Sequence, residues 1–549
     1  MKDMFCEYYG EHLDATYDCV DRIVLTAYNP FIQGGGGFRT WWRMLDGNDD
    51  NLDNTHLMRF AGHFSRRVRA FAKKKNIPLI FCDAKKRKDE ITDTLLPSQR
   101  RREGVFCIMV NRAPASVIDV RHYGNGGIDI RKKEPRPYVN HYAFHIIDNE
   151  WGHVIIRFCP HPPFNAMIIL NGHEYVEMQA RKRNISFTKE DNCFTGIPNA
   201  AALAGIADTM SASGTGGRLV SVCERWIYSA CLCFALEIAE QERTGFQYAY
   251  SVFQAEYSRN LLFKHGTVLD RVFNGVIDRT RTILDMRSVK TIFGRHRRPY
   301  YKKQRRGRPR FEVVVEKPAY NLTVFKVHFG RLTVKMYSKG ERVLRIEAVA
   351  HNTADLHVGK SIAKFPSIVS CLADITGNFL DKLNCVDVSF VDAATMERWH
   401  EHGSINGTCT AGIDINKPRM RVVMEALIAL SINPCPITAA LVADKVREIG
   451  GTAFDSYTKR QAAYDLRKFR GKGVIEKTTP GKTYTLKCEG LRTITAFIVI
   501  RDKVLIPLLS CRGDLRKIRH QRNRSNVQIH MDNIQHEMKN IFNHYRIAA

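Results

Sequence analysis

Acidic residues are scarce in this chain, and long apolar runs and paired cysteine spacings are absent. Asp and Glu total 56 against 84 Lys and Arg, so the formal net charge is +28. The fifteen cysteines contain no C-x-x-C pair and no even framework spacing, which favours reduced thiols in a cytoplasmic protein. The N-terminus has no apolar signal core. The most apolar helix candidate, residues 222–238, carries charges and is shorter than the roughly 20 residues of a membrane span, so no membrane segment is expected.

Several catalytic signatures are missing as well. The sequence has no phosphate-binding P-loop, deaminase signature, kinase motif set or serine-nucleophile elbow. Nucleotide hydrolysis and acyl transfer therefore have little support. The length of 549 residues predicts about three to five domains, each large enough to bury its own core.

The positive charge is concentrated in three clusters. Residues 295–310 hold nine Lys and Arg in sixteen positions, residues 512–524 hold six in thirteen, and residues 66–75 hold six in ten. Each phosphate that such side chains neutralise releases condensed counterions, so the clusters favour a polyanionic partner. They predict an extended nucleic-acid contact path. In the first cluster, a basic linker, the candidate phosphate-binding residues are Arg305, Arg306 and Arg308.

Residues 414–490 predict three consecutive helices. Apolar residues at helical spacing from Met420 to Leu430 predict the first helix. Thr438 is the expected cap of the second, which ends at Gly450-Gly451. Ser456 is the expected cap of the third, whose predicted inward residues are Ala463, Leu466 and Phe469.

A two-stranded hairpin is predicted after the third helix, at 474–477 and 483–486 around the Pro480-Gly481 turn. The order of helix, helix, basic helix and hairpin resembles the winged helix-turn-helix of DNA-binding domains. Arg, Lys, Gln and Thr are the side chains that reach base edges and phosphates from a helix in the major groove. The alternative is a winged helix used for protein contacts. The candidate nucleic-acid-binding residues are Thr458, Lys459, Arg460, Gln461, Tyr464 and Arg467 on the outward face and Lys482 in the wing.

The remaining periodicity predicts a multidomain protein of mixed α/β and α+β class. We expect a helical or α/β segment at 1–100, with a helix at 54–75, a histidine-rich α/β domain at 101–199 and a helical region at 200–290. The basic linker at 291–310 precedes an antiparallel β meander with a covering helix at 311–400. The winged module at 413–490 and a basic extension at 491–549 complete the chain.

Histidines are concentrated in residues 141–173, which hold five of the twenty. Strands at 142–147 and 151–158 flank a predicted three-residue loop, and pairing Ile147 with Trp151 would place two histidines opposite each other. Neutral imidazoles and a carboxylate suit a divalent metal ion. The alternative is a set of partly exposed strand histidines that share no ligand. The candidate metal ligands are His145, His153, His173 and Glu174.

The strand-turn-strand at 332–347 ends in Arg345-x-Glu347. It resembles the hairpin of rolling-circle replication initiators and related mobile-element proteins, over a short part of the chain. The resemblance implies that Glu347 lies near a divalent metal and that a tyrosine, Tyr337, Tyr300 or Tyr301, attacks DNA. The family's paired His-hydrophobic-His motif is missing here. The alternative is an ordinary hairpin with Arg345 and Glu347 on its polar face.

A short buried strand is predicted at 77–82, followed by charged residues. Asp83 could hold a divalent metal and Lys85 could stabilise the attacked phosphate, as in nuclease chemistry. Polar residues follow strands in many proteins, so this pattern is also compatible with a solvated turn.

Three hypotheses follow from these patterns. The first is a nucleic-acid-binding protein, with DNA favoured over RNA, that recognises its site through the winged module. The second is a metal-dependent nuclease, nickase or replication initiator of a mobile element, which requires acids or histidines to converge in space. The third is a structured-RNA-binding or scaffold protein. The sequence indicates neither the target sequence nor the oligomeric state.

Overall fold

The computed structural model describes residues 4–82, 88–96, 103–124, 127–273, 309–316, 322–329, 332–387, 393–405, 407–431, 436–478 and 483–501, with isolated positions between 530 and 540. These residues divide into two compact units. The sheet unit is drawn from His12–Leu269 and Thr291–Thr376, and the C-terminal unit mainly from Gly377–Ala549. The protein is mixed α/β, with one large and mostly antiparallel sheet.

The strands of the sheet unit, in chain order, are β1 Leu13–Tyr28, β2 Leu79–Phe81, β3 Gly104–Pro114, β4 Ile118–His122, β5 Ile128–Lys132, β6 Tyr138–Asp148, β7 Gly152–Phe158, β8 Ala166–Asn171, β9 Thr188–Glu190, β10 Cys193–Gly196, β11 Ala249–Phe263, β12 Pro309–Glu316, β13 Leu322–Phe329, β14 Leu332–Lys339 and β15 Val343–Ala350. Eleven of them form one sheet in the order β12-β13-β14-β15-β11-β1-β8-β7-β6-β3-β2. Its neighbours are antiparallel except for the parallel pair β2 and β3. The hairpins β4–β5 and β9–β10 are separate from it.

The central strands alternate between two environments, as the period of two residues in a strand requires. In β7 and β8 every second residue is buried and the residues between them are half-buried. The buried set packs on helices. The Phe64 ring, on helix Asn54–Lys75, stacks on Phe158 of β7 with centroids 5.1 Å apart. One sheet face is therefore the core, and the other is only partly covered.

The helices of the sheet unit surround that core. The helix predicted at 54–75 is observed at Asn54–Lys75. The Asp53 side chain caps its start by accepting a hydrogen bond from the His56 N–H, and Asn76 ends it in the left-handed conformation, at φ 54°. The further helices of this unit are Gly35–Asp46, Lys88–Leu95, Gly172–Lys182, Ala200–Asp208, Thr215–Ala230 and Ile238–Thr244, with the beginning of Phe365–Asp387. Among the described residues, no single helix is long and apolar enough to cross a membrane.

Two long strands depart from the sequence predictions. β1 lies in a segment for which no strand was predicted, and β11 lies in the region predicted to be helical. The aromatic residues Tyr250, Phe253 and Tyr257 of β11 are spaced as on a helix. In the sheet, however, β11 pairs with β1 along nearly its whole length, and a register shift leaves Phe253 without a partner. Pairing with a distant strand therefore overrides the local spacing.

The predicted meander is confirmed as four antiparallel strands, β12 to β15. Through the pairing of β15 with β11 it extends the central sheet. Strands on both sides of the predicted domain boundaries near residues 100, 199 and 310 therefore belong to one sheet. The covering helix predicted to follow the meander within 311–400 is observed as a short 3-10 turn, Ile362–Lys364, and helix Phe365–Asp387.

The C-terminal unit contains five helices in its described residues from 393 onward that are longer than one turn: Ala393–His400, Pro418–Ser431, Ala439–Gly450, Lys459–Gly471 and Cys488–Val499. Its strands are β16 Gly403–Ile405, β17 Thr408–Thr410, β18 Ile437–Thr438, β19 Ile475–Thr478 and β20 Thr483–Leu486. The last three form one sheet in the order β18-β20-β19. Pairing of β18 with β20 was not predicted, since β18 has only two residues.

One apolar core holds this unit together, with Val423, Leu427, Val446, Leu466 and Phe469 among its buried residues. The core also includes apolar residues of helix Cys488–Val499, part of a segment expected to be only a basic extension. That expectation, made for residues 491–549, does not hold for residues 491–499, because Leu491, Ile494 and Phe497 recur at helical spacing and are buried.

Candidate nucleic-acid interface and polar clusters

The third predicted helix begins at Lys459, two residues later than expected. Thr458, rather than Ser456, is its cap, and the Thr458 Oγ1 accepts from the Gln461 N–H at 3.3 Å. The Gln461 Oε1 in turn accepts from the Thr458 N–H at 2.8 Å, which completes a capping box. Thr458 and Gln461 were predicted to contact nucleic acid, and both are exposed. Their oxygens, however, are already engaged at the helix end.

The outward face of helix Lys459–Gly471 is basic. Lys459, Arg460 and Arg467 are exposed, and Tyr464 is 54% exposed. The Lys468 Nζ lies 5.0 Å from the centroid of the Tyr464 ring. On the inward face, Ala462 is buried and Ala463 is exposed, which corrects the prediction of Ala463 as an inward residue. Ala462 and Ala463 lie four and three residues before the buried Leu466, so helical spacing alone allows either to face inward.

The single acid of this helix, Asp465, is turned away from the basic face and is fully buried. Arg419 donates to both Asp465 carboxylate oxygens, at 2.8 and 3.0 Å, and the Tyr457 hydroxyl donates to one of them at 2.7 Å. Burial, followed by the hydrogen bond to Asp465, raises the pKa of Tyr457. The negative charge is thus neutralised inside the unit, and the exposed face carries cations and neutral donors.

Several predicted site residues lie outside the described residues, and the structure gives no contacts for them. They are Arg305, Arg306 and Arg308 of the linker, Lys482 of the predicted wing turn, Asp83 and Lys85 of the predicted nuclease site, and the alternative nucleophiles Tyr300 and Tyr301. The strand before Asp83 is β2. It is not buried as predicted, because Phe81 is 54% exposed.

His145 and His153 are in contact, as predicted. Their Nδ1 and Nε2 atoms are 3.1 Å apart, and the Phe106 ring packs beside both imidazoles. The predicted register is wrong by two residues, since Ile147 pairs with His153 and His145 with Ile155. A shift of two residues keeps both histidines on the same sheet face, so the contact forms diagonally.

His173 and Glu174 do not join this pair. The imidazole of His173 is fully buried, with its Nδ1 2.9 Å from the Asp21 carboxylate, and Glu174 accepts a hydrogen bond from Lys189 at 2.9 Å. The four predicted metal ligands are therefore divided among three places. Within the described residues, no group of three or more His, Cys, Asp or Glu is arranged to hold a metal ion.

The buried cluster around His173 is formed by residues from distant strands. Arg345 of β15 is fully buried, and its Nη2 lies 3.1 Å from the His173 Nε2 and 3.7 Å from Asp21. Its Nε donates to the Asn260 side chain at 2.7 Å. Burial alone would raise the pKa of Asp21, but the charges of Arg345 and His173 lower it to about 2. Burial lowers the pKa of His173 to about 4. The sequence also allowed an ordinary hairpin with Arg345 and Glu347 on its polar face. The face that holds Arg345 is indeed polar, but it is buried.

Glu347 and Tyr337, the pair suggested by the replication-initiator resemblance, lie together on the same sheet face. The Tyr337 hydroxyl and the Lys335 Nζ both donate to the Glu347 Oε2, each at 3.2 Å. Burial, then the charge of Glu347, raises the pKa of Glu256 of β11 to about 7. The same two causes raise the pKa of the Tyr337 hydroxyl. The structure thus brings together a carboxylate, a lysine and a tyrosine from β14 and β15.

These residues do not form the divalent-metal site that the resemblance implies. Two donors, Lys335 and Tyr337, already occupy one Glu347 oxygen, and the raised pKa of Glu256 leaves this carboxyl partly protonated near pH 7. Among the described residues no histidine or third carboxylate completes a ligand set there.

Comparison with protein-family models, with curated proteins and with solved structures finds no match to this chain.

Proposed function

We propose that the C-terminal unit is a winged helix-turn-helix and that the protein binds nucleic acid, preferentially DNA, through the exposed face of helix Lys459–Gly471. The observation that carries the proposal is the separation of charge on this helix. Lys459, Arg460 and Arg467 are exposed, whereas Asp465 is buried and paired with Arg419. A helix of this kind can approach a phosphate backbone without repulsion from its own acid.

The order of the elements supports the same proposal. A helix, the short strand β18, two further helices and the hairpin β19–β20 follow one another, and β18 pairs with β20 beside the hairpin. Such pairing fixes the hairpin next to the helices, as a wing requires. The Arg419–Asp465 pair fixes the third helix against the first. Both contacts support a rigid module in which one helix presents its polar face.

The composition supports a polyanionic partner for the whole chain. The net charge of +28 is concentrated in clusters, and the linker cluster at 295–310 would add phosphate contacts to those of the module. Phosphate contacts position a protein on nucleic acid, while contacts to base edges select the sequence. The module would therefore supply site recognition, and the linker would supply affinity that decreases with salt.

The test is a binding titration of the full chain with fluorescently labelled duplex DNA, followed by anisotropy over a range of salt concentrations. In the double variant Lys459→Gln/Arg460→Gln, we expect at least about tenfold weaker binding and a decrease of about 0.9 in the salt slope per lost phosphate contact. The matched control is Arg131→Gln/Arg136→Gln, which removes two exposed cations from the sheet unit.

Equal affinities of both double variants would overturn the assignment of the interface. No binding of the parent chain to duplex DNA would overturn the function. A parallel titration with double-stranded RNA decides the partner, because tighter RNA binding would contradict the preference for DNA and favour the structured-RNA hypothesis.

A second candidate function, cleavage of a DNA strand, rests on the contact of Tyr337 with Glu347 at 3.2 Å. The Tyr337 oxygen would attack phosphorus, Glu347 would accept the phenolic proton, and the bond to the 3′ oxygen would break. The departing 3′ oxygen would take a proton from water, and the products would be a phosphotyrosine linkage and a free 3′ hydroxyl. The raised pKa of Tyr337 keeps its hydroxyl protonated near neutral pH, so a base at this position is needed.

A further inference from the structure

A cavity of about 510 Å³ opens on the half-buried face of the large sheet, at the ends of β1, β7 and β8. Its volume is in the range of small-ligand sites in proteins. Among its lining residues are Tyr28, Ser116, His141, Arg157, Asn165 and Met167. None of the described residues that line it is an Asp or a Glu. The cavity therefore combines a cation with polar and apolar surface and has no carboxylate to balance the charge.

Arg157 is the cation of this cavity. It is half-buried on β7, and its side chain makes no hydrogen bond or ion pair with any described residue. Burial, and then the nearby charge of Arg22, lower the pKa of its guanidinium, which nevertheless remains protonated in proteins. A partly desolvated guanidinium without a counterion is costly, so an anion that paired with it would bind favourably.

The described residues that line the cavity add no negative charge, and Arg22, whose charge acts on Arg157, lies opposite Glu256 in the sheet. Burial, and then the charge of Arg157, lower the pKa of His141 to about 4, so this imidazole is neutral at pH 7. Lys132 donates to the Gln33 Oε1 at 3.3 Å, and Gln33 lines the cavity. Arg157 in the lining and Lys132 beside Gln33 together exceed the charge of a single carboxylate, and a phosphate monoester, which carries up to two negative charges, matches them better.

The rest of the lining suits a flat organic group. Ala27, Tyr28, Pro114, Ala115 and Met167 provide apolar surface, and the side chains of Ser116 and Asn165 provide hydrogen-bonding groups. A nucleobase combines a flat apolar ring with polar edges. We propose that this cavity binds a nucleotide-sized phosphate monoester, with the phosphate on Arg157 and the base against the apolar lining. The phosphate could belong to a free mononucleotide or to the 5′ end of a strand, and this site is independent of the interface proposed for the C-terminal unit.

Isothermal titration calorimetry of the full chain tests the proposal with deoxyadenosine monophosphate, deoxyadenosine and inorganic phosphate. We expect the monophosphate to bind at least about tenfold more tightly than the nucleoside, because a charge-assisted pair is lost without the phosphate. Arg157→Gln should weaken monophosphate binding by a similar factor, and Arg157→Lys should restore part of it. The matched control is Arg131→Gln, which removes an exposed cation of β5 and should bind as the parent does.

A short oligonucleotide with and without a 5′ phosphate separates the two sources of the ligand. Binding of the phosphorylated strand but not of the mononucleotide would assign the site to strand ends. Unchanged monophosphate affinity in a folded Arg157→Gln variant would overturn the proposal, as would the absence of binding by every phosphorylated ligand at about 1 mM. The Lys459→Gln/Arg460→Gln variant should keep monophosphate binding, so failure of this site and failure of the proposed interface are distinguishable.

Discussion

Arg419 and Asp465 form a bidentate ion pair between helices Pro418–Ser431 and Lys459–Gly471 of the C-terminal unit. Asp465 is fully buried, while the Arg419 side chain is 37% exposed. The Asp465 carboxylate is therefore shielded from water, while the Arg419 guanidinium that neutralises it is still partly accessible to water. The pair also joins the buried side of the third helix to the first helix.

Replacing Asp465 with Asn should destabilise the C-terminal unit by about 2–3 kcal/mol, because the hydrogen bonds from Arg419 and Tyr457 lose their charged acceptor. Chemical denaturation followed by circular dichroism measures the change. Asp455→Asn is the control, since Asp455 is exposed. A variant as stable as the parent would show that the pair contributes little to the orientation of this helix.

The start of the third helix gives a second prediction. Thr458→Ala should cost about 1 kcal/mol, since it removes the oxygen that accepts from the Gln461 N–H. Ser456→Ala is the matched control and should change stability by less than about 0.5 kcal/mol. The sequence alone favoured Ser456 as the cap. A larger loss at Ser456 than at Thr458 would restore that assignment and contradict the observed helix start.

Local signals predicted the three helices within residues 414–490 well, but not helices Ala393–His400 and Cys488–Val499. The first two are observed at Pro418–Ser431 and Ala439–Gly450, and Thr438 caps the second as expected, because caps and helical periodicity involve residues close in sequence. The contact of His145 with His153 could also be predicted, since strand alternation determines the face even when the register is shifted.

The buried cluster could not be predicted in the same way. Asp21, His173 and Arg345 are far apart in sequence, and they meet because β1, β11 and β15 are neighbours in one sheet. β1 was not predicted, and the aromatic spacing of β11 favoured a helix. Without those two strands, no pattern links Asp21 to Arg345. Arg157 is a similar case, since the absence of a counterion among the described residues depends on which side chains surround the cavity.

Glu256 predicts a dependence of stability on pH. Its pKa is raised from 4.5 to about 7, first by burial and then by the charge of Glu347. The folded chain therefore binds this proton more tightly than the unfolded chain does, and the resulting stability is lost as the pH rises from about 4.5 to about 7. Glu256→Gln mimics the protonated side chain. It should be neutral near pH 4.5 and stabilise by about 2 kcal/mol near pH 8.

Denaturation of the parent and of Glu256→Gln at both pH values measures the difference. Glu242→Gln, on an exposed helix surface, is the control for a simple loss of negative charge. A stabilisation that is equal at the two pH values would show that Glu256 does not take up a proton in this range.

The strand-cleavage candidate gives the last prediction. If Tyr337 is the nucleophile, single-stranded or supercoiled DNA incubated with the full chain should yield a covalent protein–DNA adduct that survives denaturing electrophoresis. Tyr337→Phe should abolish the adduct, since it removes the attacking oxygen, and Glu347→Gln should reduce it by about 10²-fold or more, since it removes the base.

Tyr138→Phe is the control, because Tyr138 is 62% exposed on β6 and loses the same hydroxyl. DNA binding by Tyr337→Phe should equal that of the parent, which separates cleavage from the proposed interface. If DNA stays intact with the parent chain in the presence of magnesium, manganese or zinc, this candidate function is removed. Glu347 would then serve only to accept hydrogen bonds from Lys335 and Tyr337 of the neighbouring strand.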